Sequence, residues 1–252
     1  KPRKASTEHK ALARQVVRRW MGEHAMPEKE LSWFTGGDAA GGGLHLHVVV
    51  HVRRGDVSSR TKSGSRYVSN GYLTLVLKEL ADALADVRRR LGAVRHRDAE
   101  RLLADGGLHS HVHLTSQGEA EDFPLKEWRA ALGAANATLA PHVSHNHRRR
   151  GAKDALALPS FSHMAAADVL LRGHSSFSTL AGRYYSQGFV VDYGRDGAID
   201  APRRALGERF REEMVRYLLR KWRRRKGNKG NKGDKGDKGD KGDKGDKGDK
   251  GD

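Results

Sequence analysis

The loop after the apolar run Leu44–Val52 holds residue types that bind phosphate, and it reads Arg53, Arg54, Gly55 and Asp56. The guanidinium group of arginine is planar, its N–H donors can bond two phosphate oxygens at once, and it stays charged at physiological pH. Gly55 allows a sharp turn, and Asp56 can orient a neighbouring arginine. Two arginines alone do not distinguish a phosphate-binding loop from a loop in which an Arg–Asp ion pair is purely structural.

A second phosphate-binding pattern is the run Ser175, Ser176, Phe177 and Ser178, which follows a short apolar segment and opens a predicted helix. The start of a helix exposes backbone N–H groups and the positive end of the helix dipole. Hydroxyl groups beside those amides favour an anion site. The simpler interpretation is that Ser175 or Ser176 is only an N-cap.

Polar residues also end the predicted strand between these two loops, namely Thr115, Ser116, Gln117 and Gly118. Three polar loops on one edge of a sheet, one of them doubly basic and one at a helix start, suit a diphosphate. The pattern therefore predicts a nucleotide site.

Apolar periodicity places these loops at the ends of strands. Strands are expected at Leu44–Val52, 109–115, 138–143, 168–171 and 189–193, and helices at 70–92, 125–132, 177–185 and 206–222. Asn70 and Gly92 are the expected caps of the first of these helices. Alternating strands and helices indicate an α/β fold, a Rossmann-like parallel sheet with helices on both faces. Ligands of such sheets bind beyond the carboxyl ends of the strands.

Composition divides the chain into three parts: an N-terminal extension (1–43), a Rossmann-like domain that holds the predicted nucleotide site (44–226) and a low-complexity repeat (227–252). The net charge is +17, and the repeat contributes only one positive charge with its eight lysines and seven aspartates. The basic domain indicates an anionic partner such as a nucleotide, a nucleic acid or a membrane surface. Without cysteine, disulfides and thiolate metal sites are excluded. No apolar run approaches the ~20 residues that span a bilayer, and no signal peptide is visible.

Four motifs resemble segments of fucosyltransferases. HVRRGDV, which begins at His51, is similar to the His-x-Arg-Arg-x-Asp motif shared by α1,2-, α1,6- and protein O-fucosyltransferases. RYVSN (66–70), HLTSQG (113–118) and ADVLL (167–171) followed by SSFS are similar, in order, to further segments of fucosyltransferase-like proteins. The resemblance covers residues 44–193.

The resemblance implies the donor half of a GT-B glycosyltransferase, a GDP-fucose donor, a glycan or glycoprotein acceptor and no required metal or other cofactor. Arg53 would be the catalytic residue, binding the β-phosphate and stabilising the departing GDP. Arg54 and Asp56 would support it, and Asp168 or His163 would lie near the guanosine. The donor-binding residues implied are His51, Arg54, Asp56, Ser116, Gln117, Gly118, His163, Asp168, Ser175, Ser176 and Phe177.

A GT-B enzyme needs two nucleotide-type domains, and residues 1–43 are too few for the first. The acceptor half is therefore expected to be absent, truncated or supplied by another chain. The sequence does not indicate the compartment, and only the resemblance implies a Golgi or ER lumen, for a eukaryotic enzyme.

Other functional classes stay open. Histidines alternate along two strands (His45, His47 and His51; His109, His111 and His113) and could bind zinc, although no acidic ligand is obvious nearby. Runs of arginine at 88–90, 148–150 and 223–225 could track a nucleic-acid backbone, but no sequence-specific nucleic-acid-binding motif appears. An Arg-Gly-Asp tripeptide at 54–56 is an integrin-type motif, although it abuts a predicted buried strand. Glycine at every third position of 227–252 is the collagen period, which leaves trimerisation through the tail open, but the lack of proline favours disorder.

Overall fold

The sheet is parallel throughout. The computed structural model describes residues 33–34, 43–54, 67–104, 106–144, 157–186, 188–195 and 198–230. They form one five-stranded sheet in the spatial order β3-β2-β1-β4-β5. Its strands are β1 (Leu44–Val52), β2 (Leu108–Gln117), β3 (Ala137–Ser144), β4 (Val169–Arg172) and β5 (Phe189–Asp192). The predicted Rossmann-like α/β fold is confirmed.

Helices connect and cover the strands. They are α1 (Asn70–Ala93), α2 (Arg97–Ala104), α3 (Leu125–Ala134), α4 (Ala157–Ala166), α5 (Ser176–Leu180), α6 (Asp200–Ala205) and α7 (Glu208–Gly230). Helix α5 continues as a π-helical segment, Ala181–Tyr185. The sequence pattern did not predict α2, α4 or α6. No helix in the described ranges is both long and apolar enough to cross a bilayer.

Strand β1 is the centre of the fold because it pairs with β2 on one side and β4 on the other. All nine of its residues are buried, as expected for a central parallel strand covered on both faces. Alternate side chains point to opposite faces. One set, including Leu46, Val48 and Val50, packs in the main hydrophobic core with α1, α3 and α7. The other set carries the histidines and Val49, and Val49 packs with Met164 of α4.

The ends of the long helices differ from the predictions. Ser69, and not Asn70, is the N-cap of α1, because its hydroxyl accepts a hydrogen bond from the Tyr72 backbone N–H at 3.2 Å. Gly92 lies inside the helix, whose C-cap is Val94. Helix α7 runs to Gly230 and so extends into the glycine repeat. The rest of the repeat and most of the N-terminal extension lie outside the described residues.

Candidate functional site

The order of the strands creates a crevice at the carboxyl end of β1. From β1 the chain moves outward on one side through β2 and β3, and it then returns to the other side of β1 as β4. Connections that leave two neighbouring strands in opposite directions open a gap beyond their carboxyl ends, where ligands of this type of sheet bind. The pairing register places His51 of β1 beside Thr115 of β2 and Arg172 of β4. The three loops predicted from sequence therefore do share one edge.

His51 is a buried, neutral imidazole at this switch point. Only 8% of the residue is exposed, and its ring centroid lies 5.9 Å from that of Phe177. Burial, reinforced by the charge of Arg53, lowers the pKa of His51 to about 4. The side chain therefore carries no charge at neutral pH. Its Nδ1 has no hydrogen-bond partner among the described residues.

Arg53 is half-buried and follows β1 at the same edge. Its guanidinium is close enough to His51 for its charge to act on that imidazole. Ser176 is exposed and follows β4, the strand that pairs with β1. The two residues predicted to converge on a diphosphate thus extend from neighbouring strand ends.

The junction between β4 and α5 is held by close backbone packing. Gly173 has no room for a side chain, because a Cβ there would lie 2.7 Å from the Tyr193 hydroxyl oxygen. That hydroxyl donates a hydrogen bond of 3.0 Å to the His51 carbonyl oxygen, which ties the junction to the end of β1. The serine-rich loop is consequently fixed relative to β1.

Ser175 occupies the N-cap position of α5, but its side chain makes no capping hydrogen bond. The residue is only 4% exposed, and its hydroxyl oxygen has no hydrogen-bond partner among the described residues. Capping is the usual reason for a serine at this position. The position of Ser175 therefore fits the interpretation that it is only an N-cap, but its hydroxyl group, which makes no capping hydrogen bond, does not.

Arg54 points away from the crevice, into the side of the sheet covered by α1. Its guanidinium stacks 4.2 Å from the Tyr67 ring centroid and 5.5 Å from that of Phe123. It also donates a hydrogen bond of 2.7 Å to the Asn70 side-chain oxygen. This arginine links the end of β1 to the start of α1. The other motif residue, Asp56, lies outside the described residues, as does Gly55.

The loop after β2 is ordered by local contacts. The Ser116 hydroxyl donates to the Gln117 carbonyl oxygen at 3.0 Å, and the buried Thr115 hydroxyl bonds that of Ser160 in α4 at 2.9 Å. Gly118 has a φ of +123°, which other residues rarely adopt, and a Cβ there would lie 3.8 Å from that of Arg54. This loop therefore borders the crevice near the base of the arginine loop.

Asp168 lies at the amino end of β4, the end away from the crevice. Its carboxylate accepts hydrogen bonds from the His47 backbone N–H at 2.8 Å and from Lys221 at 2.7 Å to each oxygen. The Tyr217 hydroxyl donates to it as well. The structure thus places Asp168 in a buried ion pair that anchors α7, at the end of β4 opposite Ser175.

His163 is fully buried in α4 and both of its ring nitrogens are occupied. One accepts a hydrogen bond from the Trp33 backbone N–H at 3.1 Å, and the other bonds the Pro159 carbonyl oxygen at 2.6 Å. The Trp33 ring stacks between His163 and His142, with centroid distances of 4.0 and 3.6 Å. His163 is therefore part of the packing over the histidine face of the sheet.

That histidine face is a network of hydrogen-bonded rings. His47 bonds His113 at 3.4 Å, and His113 bonds His142 at 3.1 Å. His45 bonds His111 at 2.9 Å. Within the described part of the chain, no group of three or more histidine or acidic side chains is arranged to hold a metal ion. The geometry gives the zinc alternative no support.

Sequence reasoning missed two residues at the crevice, Tyr193 and Arg172. Tyr193 follows β5 and acts on the site from a distant part of the sequence. Arg172 ends β4 beside His51, donates to the Thr179 hydroxyl at 2.5 Å and pairs with Asp192 at 3.2 Å. An arginine directly after an apolar strand was a usable signal, because the same signal identified Arg53.

Comparisons with known proteins give no match. No family model matches the chain, no curated protein matches its sequence, and no solved structure matches it.

Proposed function

We propose that the chain is the donor-binding half of a GT-B glycosyltransferase similar to the fucosyltransferases. It binds GDP-fucose, or a related GDP-sugar, at the carboxyl ends of β1 and β4. The sugar is transferred to a glycan or glycoprotein acceptor. The observation that carries the proposal is the Ser175 hydroxyl, which is buried at a helix start and bonded to nothing in the described residues.

Unpartnered polar atoms at one edge support a ligand there. Ser175 Oγ and His51 Nδ1 lie at the ends of β4 and β1, and neither has a hydrogen-bond partner among the described residues. Each buried polar atom without a partner costs roughly 1–3 kcal/mol. A diphosphate would supply acceptor oxygens for the serine hydroxyl and for an imidazole that carries its proton on Nδ1. The cost would then be offset in the complex.

The proposed roles follow from charge. In glycosyl transfer the bond between the sugar C1 and the β-phosphate oxygen breaks, and negative charge builds on the leaving diphosphate. The acceptor hydroxyl oxygen bonds to C1, and its proton is released to solvent. Arg53 stabilises that charge in the transition state, where a fixed donor contributes ~10²-fold in rate. The Ser175–Ser176 loop and Phe177 hold the diphosphate, and His51 adds a neutral donor. Arg54 positions the Arg53 loop through its stack on Tyr67. With arginine as the cation, no metal is required.

Thermal shift with GDP, GDP-fucose, ADP and UDP tests the proposal. The parent should be stabilised selectively by the two guanosine ligands, because binding to the folded state alone raises stability by RT ln(1 + [L]/Kd). Arg53→Ala should abolish the shift. Ser175→Ala should reduce it while leaving the ligand-free protein at least as stable as the parent, since the lost hydroxyl has no partner.

The matched control is Ser162→Ala in α4, a fully buried serine outside the crevice. It should leave the GDP shift as large as that of the parent. Equal responses to all four ligands, or an Arg53→Ala protein that responds like the parent, would contradict a guanosine diphosphate site.

A further inference from the structure

Helix α7 uses its apolar side entirely within the domain. Phe210, Met214, Leu218 and Trp222 recur every four residues along it and are buried in the main core. Its outward side is arginine-rich. The apolar side is therefore not available to insert into a membrane, and what α7 offers to a partner is charge.

Only the first half of α7 carries acidic residues of its own. There Arg209 pairs with Glu213 at 2.8 Å, and Arg216 pairs with Glu212 at 3.5 Å. Residues 220–232 hold eight arginines and lysines and no acidic residue.

Two exposed cations of the second half remain uncompensated. Arg220 and Arg224 are exposed and have no acidic partner in the ranges that the structure describes. The second half of the helix is therefore strongly cationic.

Helix α2 lies beside this region and adds arginines to it, together with Asp98 and the exposed Glu100. Arg223 of α7 pairs with Asp98 of α2 at 2.5 Å and contacts His96 at 3.2 Å, which brings the two helices side by side. Arg97 and Arg101 of α2 are exposed. The exposed arginines Arg97, Arg101, Arg220, Arg223 and Arg224 together are termed the α2–α7 basic surface.

We propose that the α2–α7 basic surface binds the phosphate backbone of double-helical nucleic acid. Two pairs of exposed arginines, Arg97 with Arg101 and Arg220 with Arg224, lie four residues apart, so each pair advances about 6 Å along its helix. A duplex strand presents a phosphate about every 3.4 Å of its axis. Each pair therefore spans roughly two nucleotides, and arginine forks match phosphate oxygens in pairs.

The aromatic content of the surface favours a duplex over a single strand. Single-stranded binding depends on exposed rings that stack on bases. Two α7 rings lie near the surface, and neither is free to stack on a base. Trp222 is only 2% exposed and is covered by Lys226, whose Nζ lies 4.8 Å from the ring centroid. Tyr217 is half-buried, donates its hydroxyl hydrogen bond to Asp168 and packs edge-on against Phe189, with ring centroids 5.4 Å apart. The surface thus presents cations without a stacking platform, which suits backbone contact and no sequence preference.

The α2–α7 basic surface lies at the opposite end of β1 from the candidate nucleotide site. Lys221 and Arg225 donate to the carbonyl oxygens of His45 and Gly43, at the amino end of β1. Nine residues of strand separate that end from the crevice, which is about 26–30 Å. The two sites can be occupied together, and the inference does not rest on the proposed glycosyltransferase activity.

Fluorescence anisotropy with a labelled DNA duplex of two helical turns and mixed sequence tests the inference on the full chain. Four phosphate contacts, from Arg97, Arg101, Arg220 and Arg224, predict a log–log salt slope of about −3.6, or about a 150-fold loss of affinity between 50 and 200 mM salt. The double variant Arg220→Gln, Arg224→Gln should make the slope shallower by about 1.8. The control, Arg203→Gln with Arg204→Gln in α6, removes the same charge from two other exposed arginines and should leave the slope as in the parent.

Two results would overturn the inference. One is equal weakening by the α7 and α6 double variants, which would mean that only net charge matters. The other is the absence of duplex binding from a protein that binds heparin or phosphatidylserine vesicles. The GDP thermal shift of the α7 variant should equal that of the parent, so failure of the duplex test and failure of the nucleotide test are separate outcomes.

Discussion

Acid should unfold this domain well above the pH at which its carboxylates titrate. Burial is the main cause that lowers the pKa of His47 and His113 to about 3 and the pKa of His51 to about 4. The charge of Lys221 adds to this effect at His47, and the charge of Arg53 adds to it at His51. In the unfolded chain these imidazoles titrate near the ordinary value of 6.5. The folded state therefore binds fewer protons, and its stability falls as the pH drops below about 6.5.

The magnitude depends little on the folded pKa values. At pH 5 the folded imidazoles are still neutral, while each unfolded one gains about 2 kcal/mol from protonation. His47, His51 and His113 are each at most 8% exposed in the folded chain. Together they should remove about 6 kcal/mol between pH 7.5 and pH 5, a large part of the roughly 5–15 kcal/mol that stabilises a typical domain.

Urea unfolding at a series of pH values, followed by circular dichroism, measures this loss. His113→Gln removes one titrating ring and should reduce the loss between pH 7.5 and pH 5 by about 2 kcal/mol. His109→Gln replaces an exposed histidine of the same strand and is the matched control for the substitution itself. If the parent loses less than about 2 kcal/mol over this range, the folded histidines are not the buried neutral groups described above.

Two further predictions concern the packing that holds the site. Asp168→Asn leaves Lys221 without its carboxylate and should lower the free energy of unfolding in urea by about 3 kcal/mol. This value is at the low end for a broken buried ion pair because the lysine side chain is 32% exposed. Lys221→Met in the same background should recover part of that loss. Gly173→Ala places a Cβ 2.7 Å from the Tyr193 hydroxyl oxygen and should lower stability in thermal denaturation by about 1–3 kcal/mol. It should also reduce the thermal shift that GDP causes. A protein as stable as the parent would show that the junction between β4 and α5 can adjust to the added methyl group.

Local patterns were sufficient for the central strand and for the edge on which the loops meet. Strand β1 was predicted with its observed bounds because nine mostly apolar residues end at two arginines. Parallel strands share their carboxyl edge, so the loops after β1, β2 and β4 had to converge. The short helices α2 and α6, of eight and six residues, carry too few apolar positions to show a period.

Tertiary contacts decided what the sequence pattern could not. Arg54 resembles Arg53 in sequence, but its partners Tyr67 and Phe123 lie far along the chain and draw it to the other side of the sheet. Asp168 is adjacent to a crevice strand in sequence, yet it precedes that strand, so it lies at the amino end and meets α7. Motif adjacency therefore identified the strand but did not indicate the end of it at which Asp168 lies.

A fully paired buried carboxylate lies at the amino end of the sheet, and two buried polar atoms that lack a partner lie at its carboxyl end. At the amino end the Asp168 carboxylate accepts hydrogen bonds from a backbone amide, a lysine and a tyrosine. At the carboxyl end the Ser175 hydroxyl and His51 Nδ1, equally buried, have no partner among the described residues. Folded proteins satisfy nearly all of their buried polar atoms, so a cluster of exceptions needs a cause. An anionic ligand with several acceptor oxygens, bound beside Arg53 as proposed, would give both atoms a partner.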